Sequence, residues 1–358
     1  MKLLDETAAQ RYLITGGAGF IGSHLVDLLL AEGHQVHVLD DVSTGRLENL
    51  EQVWGHPRFR FTRGSVTNEA AVDRAASRAD VIIHLAAAVG VKLVVEQPVR
   101  TIETNVSGTE CVLRVARRRG CKVLLASTSE VYGKGSRIPF AEDDDILLGS
   151  TAKSRWCYAA SKMLDEFLAL AYAQEFGLPV VIFRLFNTIG PRQSGRYGMV
   201  VPRFLEQAQA GAPITIFGDG SQSRCFCDVR DVVRAIAGLA RHPKTAGRVF
   251  NIGSSEEITV RQLAERVKML TESRSPIVHL SYEKAYGPGF EDMARRVPYT
   301  GRIHSLLGWQ PQYTLNETLA GIIAVPASTR VKPAFLQQFA RQGELLTATA
   351  ASTPLARR

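Results

Sequence analysis

Residues 11–41 read RYLITGGAGFIGSHLVDLLLAEGHQVHVLDD, and their reading decides the fold. Tyr12 to Ile14 form a short apolar strand, glycines crowd the turn that follows, and Phe20 to Leu30 carry helical spacing before a second strand that ends in Asp40 and Asp41. Strand, glycine turn, helix and strand in that order open a doubly wound sheet. Gly16, Gly17, Gly19 and Gly22 let the backbone approach a pyrophosphate, and the helix N-terminus adds free N–H donors and a positive dipole. A carboxylate at Asp40 accepts hydrogen bonds from an adenosine ribose and repels a 2′-phosphate, so the pattern predicts NAD rather than NADP. Arg46, close behind in STGR, argues the other way.

Further along, ADVIIHLAAA (79–88), KVLLASTSEVYG (122–133) and PVVIFRLFN (179–187) read as short buried strands separated by helices, and GRVFNIG (247–253) as a strand returning to the same sheet. The alternation predicts an α/β chain, a Rossmann-type doubly wound parallel sheet with a smaller, interleaved α+β substrate-binding domain. The expected division is 1–187 with 228–263 for the dinucleotide-binding domain, 188–227 with 264–325 for the smaller domain, and 326–358 for a C-terminal extension. That last segment ends in TATAASTPLARR, which has little periodicity to bury.

A chain of 358 residues, 45% hydrophobic and 22% charged, has the length and composition of a soluble globular enzyme. Its start, MKLLDETAAQ, is too polar for a secretory signal, and no apolar run is long enough to span a bilayer, so a cytoplasmic protein with no membrane partner is expected. Cys111, Cys121, Cys157, Cys225 and Cys227 are odd in number and form no C-x-x-C pair, so neither a metal site nor a disulfide framework is expected. The net charge of +8 raises the question of nucleic acid. The basic residues are scattered, however, and the one dense run, RVARRRG (114–120), closes a helix where cations complement the dipole. No nucleic-acid partner is expected; an anionic small substrate suits the charge equally well.

The stretch CYAASK (157–162) places Tyr158 and Lys162 four residues apart at the start of an amphipathic helix, with both side chains on one face. Taken alone, such a pair is a phenol packed on a lysine stem.

With its other motifs in family order, the chain closely resembles the extended short-chain dehydrogenase/reductases that modify nucleotide sugars. The matching segments are TGGAGFIG, Asp40, HLAAAVGVK, Asn105 in TNVSGT, STSEVYG, YAASK, FRLFNTIGPR, IFGDGSQSR and RRVP, spanning about residues 11–320. The resemblance implies that Tyr158 is the acid/base and that Lys162 stands beside it and the nicotinamide ribose. A free phenol, with pKa about 10, is a poor base at neutral pH; an ammonium and a nicotinamide cation are expected to favour its phenolate. Around NAD the resemblance places Gly16, Gly19, Phe20, Ile21, Gly22, Asp40, Asp41, Val66, Leu85, Ala86, Ala87, Lys92 and Asn105. It also makes Thr128 the hydroxyl that bonds the reacting sugar oxygen. Arg224 and Arg296 match arginines that grip the diphosphate or a sugar carboxylate, groups a guanidinium recognises bidentately; Asn187 matches a residue near the sugar and phosphates, and Arg192 is expected to point into the same substrate cleft.

The run Thr128–Ser129–Glu130 bears on the reaction, because it resembles decarboxylases of UDP-glucuronic acid. Ser129 and Glu130 would then act at the carboxylate-bearing carbon of a 4-keto intermediate. The competing readings are a 4-epimerase, then a 4,6-dehydratase, and, outside enzymes, an NAD-sensing regulator. Departures from the family pattern are Ser65 where an adenine-binding Asp is common, Tyr299 where Asp is frequent, and CYAASK in place of YDEGK. A UDP-sugar substrate and a homodimer joined through helices at about 101–119 and 157–176 complete what the resemblance implies.

Overall fold

The structure is a computed structural model that describes residues 9–195, 198–286 and 291–325. The first part of the chain runs β1 (Arg11–Thr15), α1 (Phe20–Ala31), β2 (Gln35–Asp40), β3 (Phe59–Arg63), α2 (Glu69–Ala75), β4 (Val81–His84), α3 (Val91–Glu96), α4 (Pro98–Arg119), β5 (Lys122–Thr128), α5 (Cys157–Phe176) and β6 (Val180–Leu185). It continues through β7 (Thr188–Ile189), α6 (Val200–Gln209), β8 (Ile214–Phe217), β9 (Ser223–Cys225), β10 (Cys227–Asp228), α7 (Val229–Arg241) and β11 (Arg248–Ile252). Then come β12 (Glu257–Thr259), α8 (Val260–Leu270), β13 (Ile277–Leu280), α9 (Tyr282–Tyr286), β14 (Arg295–Arg296), α10 (Gly301–Leu307) and α11 (Leu315–Ile323).

Seven parallel strands form the main sheet in the order β11-β6-β5-β4-β1-β2-β3. The winding reverses between β1 and β4, and the crevice outside the carboxyl ends of those strands is where such sheets bind ligands. The strands are apolar on both faces because helices cover both. On one face Tyr12, Ile14, Val38 and Phe183 pack with Leu25 and Leu29 of α1 and Ile236 of α7. On the other, Leu13, Ile82, Val123 and Ile182 pack with Val112 and Ala116 of α4 and Ala169 of α5. The doubly wound sheet expected from the sequence is thus present, with GRVFNIG returning as its edge strand β11. The opposite edge, β3, was not anticipated; its FRFTR is only partly buried.

A second core gathers Val201 and Phe204 of α6, Ile214 and Ile216 of β8, Leu263 and Val267 of α8, and Leu315 and Leu319 of α11. Its strands form small separate sheets, β13 with β8 in parallel, and β9 between β12 and β14. Two boundaries drawn from the sequence shift. Ile258, Val260 and Leu263 belong to this second core rather than the first. Ile303 and Trp309 belong to the first, where the Trp309 indole N–H also donates to the Asp231 carbonyl at 3.0 Å. Burial rather than chain order decides membership: α10 lies against β11. Trp309→Ala is therefore expected to cost about 3–5 kcal/mol of stability, read as a lowered midpoint in urea; a loss below about 1 kcal/mol would place Trp309 outside the core of the main sheet. The expected extension 326–358 lies outside the described residues.

Among the described residues no helix is long and apolar enough to cross a membrane. The basic run at the end of α4 is neutralised locally. Arg114 and Arg118 pair with Glu69, Arg119 with Asp73, and Arg117 stacks on the Phe176 ring. No cluster of metal-ligating side chains occurs among the described residues, and the five cysteines are free.

Candidate active site

A cavity of about 520 Å³ opens at the carboxyl ends of the strands, between the sheet and the second core. One end is the turn after β1. Gly16 has φ +75°, and a Cβ there would lie 2.7 Å from the Ala86 nitrogen in the segment after β4. At Gly22 a Cβ would stand 2.3 Å from the Gly16 carbonyl oxygen, so both positions require glycine. Gly19 caps α1 without a side chain, leaving the helix N-terminus facing the cavity. The turn has the shape and the donors for a pyrophosphate.

Asp40 is 7% exposed and accepts from the N–H groups of Ala18, at 2.9 Å, and Val42, at 2.7 Å. Burial raises its pKa and the two donors oppose that. Asp40 therefore braces the glycine turn while its residue also borders the cavity, a double task the sequence did not reveal. Phe20, Ile21, Asp41, Val66, Leu85, Ala86 and Ala87 border the same space, as do Ser65 and Arg46. Asn105 does not line it. Instead its side chain accepts from the Ala88 N–H at 2.8 Å and donates to the Ser161 hydroxyl at 3.1 Å, tying the segment after β4 to α5. The Lys92 side chain lies outside the described residues.

At the other end β5 delivers Thr128, the turn Ser129–Tyr132 follows, and α5 brings Tyr158 and Lys162. Tyr158 is 8% exposed and faces the Thr128 hydroxyl. In the protein alone its pKa is raised, first by burial and then by Glu130 and Asp165, so protein groups by themselves do not make it a base. Lys162 donates to Asp165 at 2.8 Å, with both side chains buried. Ser129 is buried, and among the described residues its hydroxyl has no hydrogen-bond partner.

Five charges gather beside Tyr158. Arg155 donates to Glu130 at 2.5 Å, Arg296 approaches the other Glu130 oxygen at 3.6 Å, Arg224 donates to Asp292 at 2.8 Å, and Arg155 lies 3.7 Å from Asp292. Burial pushes the Glu130 carboxyl upward, but Arg155 and Arg296 outweigh it and hold the group ionised. Asp292 is lowered against burial by Arg224, Arg296 and Arg155. Burial and Arg224 push Arg296 down to about 10, and its Nε has no hydrogen-bond partner among the described residues. Three guanidiniums against two carboxylates leave the cluster one positive charge in excess, in a partly desolvated place that an anion would relieve.

Asn187 sits at φ 24°, donates to the Cys225 carbonyl at 3.0 Å and borders the cavity. Arg192 borders it too, and its guanidinium lies 2.8 Å from Asp27 on α1. Sequence reasoning did not single out Arg155 or Asp292. The signal for Arg155 was its place three residues before Tyr158, where a helix start turns both side chains the same way. Deeper in the second half, Arg203 stacks on Phe217 at 3.7 Å, with Gln222, Phe226 and Val260 along the same wall.

A doubly wound sheet with a glycine turn at its switch point, and a tyrosine and lysine on one helix face above it, defines a short-chain dehydrogenase/reductase. The description "NAD dependent epimerase/dehydratase family" matches residues 12–253. The chain belongs to that family and uses NAD. It is 42% identical over 311 residues to a UDP-N-acetyl-alpha-D-glucosaminuronate decarboxylase of Bacillus cytotoxicus, covering 87% of this chain and 95% of the relative. It is 37% identical to UDP-glucuronic acid decarboxylase 1 of Danio rerio, covering 89% and 73%. Among solved structures, the UDP-glucose 4-epimerase of Thermotoga maritima with UDP-glucose superposes with a TM-score of 0.78 at 31% identity, covering 92% of this chain and 99% of that one.

Proposed function

We propose that this chain decarboxylates a UDP-hexuronic acid through a 4-keto intermediate. Bound NAD supplies the hydride acceptor. Gly16, Gly19, Gly22 and Asp40 hold it, Tyr158 takes the proton of the sugar 4-hydroxyl, and Thr128 orients that oxygen. Oxidation at carbon 4 leaves a ketone β to the carboxylate, so loss of carbon dioxide gives an enolate that hydrogen-bond donors in the pocket stabilise. The excess cation of the arginine cluster suits the sugar carboxylate and diphosphate, and on this reading Ser129 and Glu130, which border the same cavity, act at the carboxylate-bearing carbon. The wall of Phe217, Arg203 and Gln222 offers stacking and polar edges to a uracil.

The observation that carries this reading is the partly buried Glu130 fixed between Arg155 and Arg296 beside Tyr158. The similarity to two decarboxylases supports it, and it leaves the 2-substituent open between hydroxyl and N-acetyl. Incubating the protein with NAD and either UDP-glucuronic acid or UDP-N-acetylglucosaminuronic acid is expected to release carbon dioxide from at least one, followed by mass spectrometry. A sugar epimerised at carbon 4 with no loss of mass, from either substrate, would replace decarboxylation by epimerisation.

The same reading includes a cytoplasmic homodimer. Val99 and Ile102 on α4 are 66% and 42% exposed, and Leu164 and Phe167 on α5 are 49% and 63% exposed, an apolar face that a second copy would cover. Sedimentation of the Phe167→Asp variant as a monomer would support this face as the contact.

A further inference from the structure

The Lys162 ammonium, on the proposed reading, lends its positive charge to Tyr158, yet in the structure it is already spent. Its Nζ lies 2.8 Å from Asp165, and the pair is 3% and 0% exposed. Two opposite charges in contact act on a third group as a dipole, which falls away with distance faster than a lone cation. The neighbouring carboxylate of α5, Glu166, is not a substitute. It is bound to Arg184 through Nε at 3.0 Å and Nη2 at 2.7 Å and receives the Ser127 hydroxyl, so it belongs to a separate closed network.

We propose that Asp165 is a positioning residue that pins the Lys162 ammonium to α5 and withholds its charge from Tyr158, so that the phenol gives up its proton only when the nicotinamide cation arrives. This rests on the reading of Tyr158 as the acid/base, though not on the identity of the sugar. The groups that act on the phenol are Thr128 at the end of β5, Glu130 in the turn after it, Arg155 ahead of α5 and Asp165 on α5, with Lys162, one helical turn on from Tyr158, lining the same cavity. Those facing the ion pair are the Thr109 hydroxyl of α4, Glu166 of α5 and His84 of β4. Burial, with Lys162 adding to it, pushes His84 down to about 3, so it is neutral and competes for neither partner. Glu130 is matched by Arg155 and Arg296. Asp165 is therefore the carboxylate whose removal frees the Lys162 ammonium itself and leaves the pairs of Glu130 and Glu166 in place.

The consequence is an order of events. Without cofactor, Tyr158 keeps its proton. When NAD binds, the phenol O–H bond breaks and the proton passes to solvent, leaving phenolate beside a cation. The enzyme thus makes its base only when the hydride acceptor is in place.

Ultraviolet difference titration of the NAD-free protein, with the Tyr158→Phe variant subtracted, reads this phenol without substrate or turnover. Asp165→Asn is expected to lower the pH of its ionisation by about one unit or more, and Asp165→Glu to restore the parent value. An unchanged titration in a folded Asn variant would overturn the proposal, since a merely structural carboxylate would lower the melting temperature and leave the phenol where it was. Should the Asn variant fail to fold, the parent protein decides. Calorimetry in buffers of different ionisation enthalpy is expected to show NAD binding releasing a proton that Tyr158→Phe does not release. Equal proton release by the two proteins would sink it. Because neither measurement uses a sugar, failure of the decarboxylase reading leaves both interpretable.

Discussion

Tyr158→Phe is expected to lower turnover by about a hundred- to ten-thousand-fold, the usual contribution of a positioned acid/base, while leaving stability close to that of the parent. The ring stays, so the packing of a side chain 8% exposed is kept. Only the oxygen that faces Thr128 is lost, and with it, on the proposed reading, the acceptor for the 4-hydroxyl proton. Single-turnover reduction of NAD, followed by absorbance with the substrate in excess, isolates this step from any later one. If hydride transfer in the variant ran within a few-fold of the parent, Tyr158 would not be the base, and another group would have to stand beside the sugar oxygen.

Gly22→Val should remove cofactor binding altogether. The Cβ alone would stand 2.3 Å from the Gly16 oxygen and 2.7 Å from the Gly17 Cα, and both are backbone that no rotamer change can clear. The turn must then open, at a cost of about 1–3 kcal/mol or more in a packed site, and the N–H groups at the head of α1 lose their aim. A thermal melt with and without NAD reads both effects. The parent is expected to be stabilised by the cofactor and the variant, melting lower, to show no shift. A variant still stabilised as much as the parent would mean that the dinucleotide does not sit on this turn.

The sheet was legible because its strands announce themselves. Segments such as Val81–His84 and Val180–Leu185 are mostly apolar and buried without alternation, as strands covered on both faces are. Phe59–Arg63 escaped notice for the opposite reason: an edge strand needs to be apolar only in part. The glycine turn and the Tyr158–Lys162 pair were legible as well, since each needs fixed spacing within one element. What could not be read was pairing across the fold. Charged residues such as Arg155, Asp165 and Asp292 look like surface groups in a sequence, because burial of a charge requires a partner the sequence does not show. Asn105 was recognised as belonging to the site, but its work is to fasten Ala88 to Ser161, a link between segments 17 and 56 residues away from it. Trp309 fell on the wrong side of a boundary because its packing depends on a chain that doubles back.

That doubling back restricts how the protein can move. The chain passes between the two cores at five places: between Leu185 and Ile189, Phe226 and Cys227, Ile252 and Ile258, Ile277 and Ile303, and Trp309 and Leu315. A hinge needs few connections, whereas here any wide swing of one half against the other would pull on all five strings at once. Ligand exchange is then expected to proceed by local rearrangement, and the short stretch from Glu291 to Arg296, whose Asp292 and Arg296 border the cavity, is held in part by ion pairs. There Glu291 grips Lys134 and Lys153 and Asp292 grips Arg155 and Arg224. Those contacts are ionic, so raising the salt concentration should speed release of product while leaving the rigid frame of the two halves intact.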